Sequence, residues 1–131
     1  MSDDFDYKLP SENYDTLAPD GSEIRLLCQT SRGSMVHCTL HPGQVSVAVA
    51  HRTVEEVWYF LEGTGQVWRR QGKRERVVDV AAGVSLSIPV GAHFQFRATG
   101  DGPLRFIIVT MPPWPGEDEA YRVPGHWPAK G

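Results

Sequence analysis

His51-Arg52-Thr53-Val54-Glu55-Glu56-Val57-Trp58-Tyr59-Phe60-Leu61-Glu62-Gly63 is the stretch on which the fold turns. Its apolar run, Val57 to Leu61, has the length and the aromatic, branched chemistry of a β-strand. It ends at a glycine turn, Gly63-Thr64-Gly65. Strand side chains alternate between faces, so Glu55 and Glu56 must part, and the spacing to Gly63 favours Glu55 as the solvent-facing one. Glu56 is then expected inside, beside Trp58 and Phe60.

Outward from this strand, the 13 glycines and 10 prolines leave no long helical window. Strand-like runs follow one another at Ile24–Gln29, Met35–Leu40, Gln44–Ala50, Val57–Leu61, Gln66–Arg70, Arg74–Val80, Val84–Ile88, Phe94–Ala98 and Leu104–Met111. Turns separate them at His41-Pro42-Gly43, Gln71-Gly72-Lys73, Val90-Gly91 and Gly100-Asp101-Gly102. Val84, Leu86 and Ile88 alternate with Ser85 and Ser87, the pattern of a half-buried strand. The 131 residues make one domain, all-β, of sandwich or barrel type. Residues 1–22 form an N-terminal arm, 23–111 the barrel, and 112–131 a Pro/Trp-rich tail. Three prolines bar the start of that tail from a central strand, and Trp114 and Trp127 are expected to anchor it on the barrel.

Two segments resemble the paired motifs of the cupin superfamily, small barrels of the double-stranded β-helix (jelly-roll) type. His51, four residues, Glu56, six residues, Gly63 matches the second half of the first motif. Val49 stands where that motif has its first histidine. In the second motif, Gly83, five residues, then Pro89-Val90-Gly91 matches, but His93 arrives one residue early. Phe94 takes the usual ligand position and Ala98 that of an asparagine. The resemblance covers about Ser34 to Met111. The strings Ala50 to Glu56 and Phe94 to Arg97 look like small bacterial single-domain cupins.

The resemblance implies three histidines and a glutamate around a divalent ion such as Fe, Mn, Ni or Zn, a donor set that leaves an open position for substrate. Position by position, this chain keeps His51 and Glu56. Two replacements stay open. A shortened Val90-Gly91-Ala92 loop would turn His93 inward, although alternation with Phe94 and Phe96 points it outward. His37 would serve if its face, shared with Met35 and Thr39, were the inner one; periodicity does not decide. The candidate metal set is therefore His51, Glu56, His93 and His37. Without a metal, His51, Glu56 and His93 remain candidate acid–base residues, because a buried histidine–carboxyl pair titrates near neutrality. His37, Trp58, Phe60, Phe94 and Phe96 are the candidate binding surface. Gln95 and Arg97, opposite the phenylalanines, are expected to be exposed.

The net charge of −3 weighs against a nucleic-acid partner. Five cations in the eight residues from Arg69 to Arg76 straddle a glycine turn and are expected at a solvated hairpin tip or an intersubunit contact. No run approaches the length of a membrane span, and the acidic start, Met1-Ser2-Asp3-Asp4, has no apolar signal region, so a cytoplasmic location is expected. Cys28 and Cys38 form no metal-type pair. Two functions follow. One is a small cupin enzyme acting on a small organic molecule by metal-assisted or His/Glu acid–base chemistry, of isomerase, cyclase, decarboxylase or oxygenase type. The other is a non-catalytic small-molecule-binding cupin with a degraded metal site. A homodimer that exchanges N-terminal strands is expected as well, since open sheet edges need covering.

Overall fold

Eleven strands and one short 3₁₀ turn, Glu117–Glu119, make up the fold in the computed structural model, which describes residues 5–131. The acidic start at residues 1–4 lies outside the described residues. The strands are β1 (Thr16–Leu17), β2 (Glu23–Gln29), β3 (Ser34–Leu40), β4 (Val49–His51), β5 (Glu55–Glu62), β6 (Thr64–Gln71), β7 (Arg74–Ala81), β8 (Ser85–Ile88), β9 (His93–Ala98), β10 (Leu104–Met111) and β11 (Ala120–Arg122). They form two antiparallel sheets, ordered β1-β2-β3-β10-β5-β8 and β11-β4-β9-β6-β7. This is the all-β double-stranded β-helix that the resemblance implies.

The core lies between the sheets, and the period-two pattern says why. Along β5, exposed and buried residues alternate from Glu55 to Phe60, which turns Glu56, Trp58 and Phe60 inward. Phe106 of β10 lies opposite Phe60 in register and packs its ring 4.6 Å from it. Trp58 packs edge-on against Phe94 and Phe96 at 5.5 and 5.4 Å. These rings form a solid floor across the barrel, of the kind that dominates core energetics. Gly63 joins β5 to β6 at a φ of 84°, and a Cβ there would collide with the Pro103 carbonyl.

Short strands from the N-terminal arm and from the tail join the sheets. β1 adds to the edge of the first sheet and β11 to the edge of the second. Of the stretch Gln44–Ala50, expected as one strand, only its end lies within β4; earlier on, Val45 makes isolated bridges to Arg97 and Lys130. Gln95 also differs from expectation. It points away from the core as alternation requires, but it is buried beneath the tail. Its amide nitrogen donates to the Ser46 and Trp127 carbonyls, and its oxygen accepts from the His126 and Trp127 amides. Arg97 beside it stacks on the Trp127 ring.

Candidate functional site

Above the aromatic floor the barrel does not close. A cavity of about 540 Å³ opens there, with Trp58 and Phe94 among its walls. Residues 16–20 of the arm and Trp114 and Glu117 of the tail also line it. The volume suits a small organic ligand.

His51 ends β4 and Glu56 starts the inward face of β5, so a short turn brings both side chains to this cavity. Each is about 95% buried. Glu56 Oε1 accepts a hydrogen bond from Trp58 Nε1 at 2.8 Å, which fixes the carboxyl. Its Oε2 stands 3.9 Å from His51 Nδ1, too far for a hydrogen bond, and Nδ1 has no partner among the described residues. The imidazole is held between the rings of Phe94 and Trp114, with centroids 5.1 and 5.0 Å away.

Burial sets the protonation of this pair. It pushes the Glu56 carboxyl up to about 8, against the lowering effect of the Trp58 hydrogen bond, with Asp20 and Glu119 adding to the rise. Burial holds the His51 imidazole down at about 4, against the opposing pull of Glu119. At neutral pH Glu56 is mostly a protonated donor and His51 a neutral acceptor. Glu119 braces the turn between them. Its burial is outweighed by hydrogen bonds from the Thr53 hydroxyl and the Thr53 and Val54 amides, which keep it ionised.

The model of the cupin domain family matches residues 36–110, more than half of the chain. The chain belongs to the cupin domain family. It is also similar to an uncharacterised protein of Methanocaldococcus jannaschii, MJ1618, at 28% identity over 120 residues, covering 85% of this chain and 93% of that protein. Among solved structures, BH2720 of Bacillus halodurans shares the fold with a TM-score of 0.64 and 22% identity over 70% of each chain. Bacillus subtilis oxalate decarboxylase, a protein with Mn(II) centres, aligns with a TM-score of 0.71 at 14% identity; it covers 86% of this cupin, which spans 30% of that chain. Likeness at these identities shows the fold alone.

The donor set of this cupin does not fit the metal that the family implies. Val49 and Phe94, paired across β4 and β9, present hydrocarbon to the cavity beside His51. His93 precedes Phe94 on β9 and so takes the opposite, outer face, where it is paired in register with Arg70. His37 is also on an outer face: Val36 lines the cavity and Cys38 and Leu40 fill the core, which sends His37 outward. Burial and the neighbouring Arg25 and Arg105 hold its imidazole low. Neither replacement ligand therefore reaches His51 and Glu56. Among the described residues, no group of three or more His, Cys, Asp or Glu side chains is placed to hold a metal ion.

Of the expected binding residues, Trp58 and Phe94 line the cavity, whereas Phe60 and Phe96 are fully buried in the floor below it. Sequence reading missed Asp20 and Thr110 in the lining and Glu119 behind His51. Asp20 does carry a local signal. In Asp20-Gly21-Ser22 its carboxylate accepts from the Ser22 amide and hydroxyl at 2.9 and 2.6 Å, an Asx-type turn.

Proposed function

We propose that this cupin binds a small, largely apolar organic molecule over Trp58 and moves a proton on it, with Glu56 as the acid and His51 as the base. One observation carries this proposal. Two buried groups of opposite proton demand face one cavity 3.9 Å apart without bonding each other. Such a pair is free to engage a ligand, and the separation of their proton affinities assigns the roles. No step needs a metal ion. Isomerisation or cyclisation of an enolisable carbonyl compound is the kind of reaction this pair serves.

The test is exchange of carbon-bound hydrogen for deuterium in D₂O, followed by NMR over a panel of small ketones and aldehydes with chelator present. The proposal expects exchange that His51→Ala and Glu56→Gln both abolish, with Tm of His51→Ala nearly unchanged. Exchange that persists in both variants, or that requires added Mn²⁺ or Zn²⁺, overturns it. A second reading, a cupin that binds without turnover, is favoured by Val49 and Phe94 at two ligand positions; it expects saturable, chelator-insensitive binding and no exchange.

We also infer a homodimer in the cytoplasm. Phe5, Tyr7 and Leu9 are at least three-quarters exposed, and the outer face of the first sheet exposes Met35, Val57 and Tyr59. An arm with alternate apolar residues suits exchange onto a second copy. A monomeric mass by light scattering at micromolar concentration would reject the dimer. Two unpaired cysteines suit a reducing compartment.

A further inference from the structure

The charge of the cavity lining selects among ligands. Among the described residues its titratable groups are Asp20, Glu56, Glu117 and His51, and no lysine or arginine lines it. The nearby Arg52 is turned away, donating to the Asp118 carbonyl and stacking on Tyr121. Glu56 is 5% exposed, and no described donor reaches its Oε2. Around these carboxyls stand the rings of Trp58, Phe94 and Trp114. We infer that the cavity takes an organic cation, a primary or quaternary ammonium on a hydrophobic body. The inference rests on the cavity being the ligand site proposed above.

Three physical effects favour such a cation. An ionised carboxylate without a counter-charge is costly inside a protein, which is why Glu56 stays protonated without one; a bound ammonium supplies that charge, so its binding releases the Glu56 proton to solvent and leaves an ion pair. Aromatic faces attract the same cation through their quadrupoles, more strongly when water is excluded. An anionic ligand meets the reverse situation: it finds no guanidinium or ammonium to pair with, and it faces three acidic side chains. Oxalate, the dianion named for the decarboxylases of this fold, is on this ground a poor match. The largely apolar lining, Ile24, Val36, Val49 and Ile108 included, favours an organic cation over a hydrated metal ion.

The experiment is calorimetric titration of the full chain at pH 7.5 with three probes of one shape: 2-phenylethylammonium, 2-phenylethanol and 3-phenylpropanoate. The ammonium is expected to bind at least tenfold more tightly than the alcohol, and the carboxylate more weakly than either. Glu56→Gln is expected to cut ammonium affinity about tenfold while leaving alcohol affinity within twofold. Asp20→Asn, at a half-buried turn residue, tests the same preference should the first variant not fold. Excess Zn²⁺ is expected not to displace the ammonium. Alcohol or carboxylate binding as tight as the ammonium overturns the cation assignment and leaves the cavity as a ligand site. Displacement by stoichiometric Zn²⁺ overturns it in favour of a metal ion. Failure of all three probes to bind overturns both proposals.

Discussion

The protonated state of Glu56 has a consequence for stability that can be measured without knowing the ligand. In the unfolded chain this carboxyl titrates near 4.5, whereas in the fold burial raises it to about 8. The folded state therefore holds a proton that the unfolded state has released, and stability falls as pH rises through this interval. His51 acts oppositely: its imidazole falls from 6.5 to about 4 on folding, so its contribution is lost as pH falls below 6.5. His37, also held down, acts below 6.5, and Cys38, pushed up by burial, acts above 9.0. Asp20 is raised by burial and adds to the direction of Glu56 from 3.8 upward. Glu56 thus dominates the window from pH 6.5 to 8. The slope approaches about 1.4 kcal/mol per pH unit at the lower end and is halved at the folded midpoint, and the unfolded histidines offset part of it near pH 6.5, so about 1 kcal/mol of stability is lost over the window. Urea unfolding followed by tryptophan fluorescence at pH 6.5 and 8 measures this loss. In Glu56→Gln, where the amide oxygen can still accept from Trp58, the loss between the two pH values should largely vanish. Wild-type stability that is flat or rising over the window, or a variant that keeps the same fall, would refute the reasoning.

Three further outcomes follow from named contacts. Trp58→Phe removes the donor to Glu56 Oε1 and part of the aromatic floor, so urea unfolding should show a loss of about 2–3 kcal/mol, and the Glu56 midpoint should rise further. Gln95→Ala deletes four hydrogen bonds, three of which fasten the tail; a loss of about 3 kcal/mol is expected, and limited proteolysis should cut within residues 112–131 first. Glu119→Ala strands the Thr53 and Val54 amides and should cost about 3 kcal/mol by urea unfolding. It also removes the charge that raises His51, so the imidazole midpoint by NMR should fall below its wild-type value.

What the sequence discloses and what it hides follow one physical rule. Inside a strand the period of two is rigid, so Glu55 and Glu56 must face opposite ways; the run from Val57 to Leu61 is apolar on both faces, and it is the motif-like spacing from Glu56 to Gly63 that favours Glu56 and Trp58 as the inner residues, as the structure has them. The same rule turns His93 away once Phe94 is known to be inside. It fails for His37 because both faces of β3 are apolar enough to be inner, and only the packing of Val36 and Cys38 decides. It is silent on Asp20, Trp114 and Glu119. These reach the site along connecting segments without periodicity, placed by turns, by the pairing of β11 with β4, and by hydrogen bonds from residues 65 or more positions away. Gln95 shows a further limit: alternation gives its face correctly, but the tail that buries it is a tertiary event.

At the centre of the proposed chemistry stands a buried carboxylic acid, protonated at neutral pH, that faces an unbonded neutral imidazole across the cavity. The most direct measurement is the carbon-13 titration of the Glu56 side-chain carboxyl by NMR, assigned with Glu56→Gln. A midpoint near 8 is the result predicted. A midpoint near 4.5, with the carboxyl fully ionised at neutral pH, would contradict it.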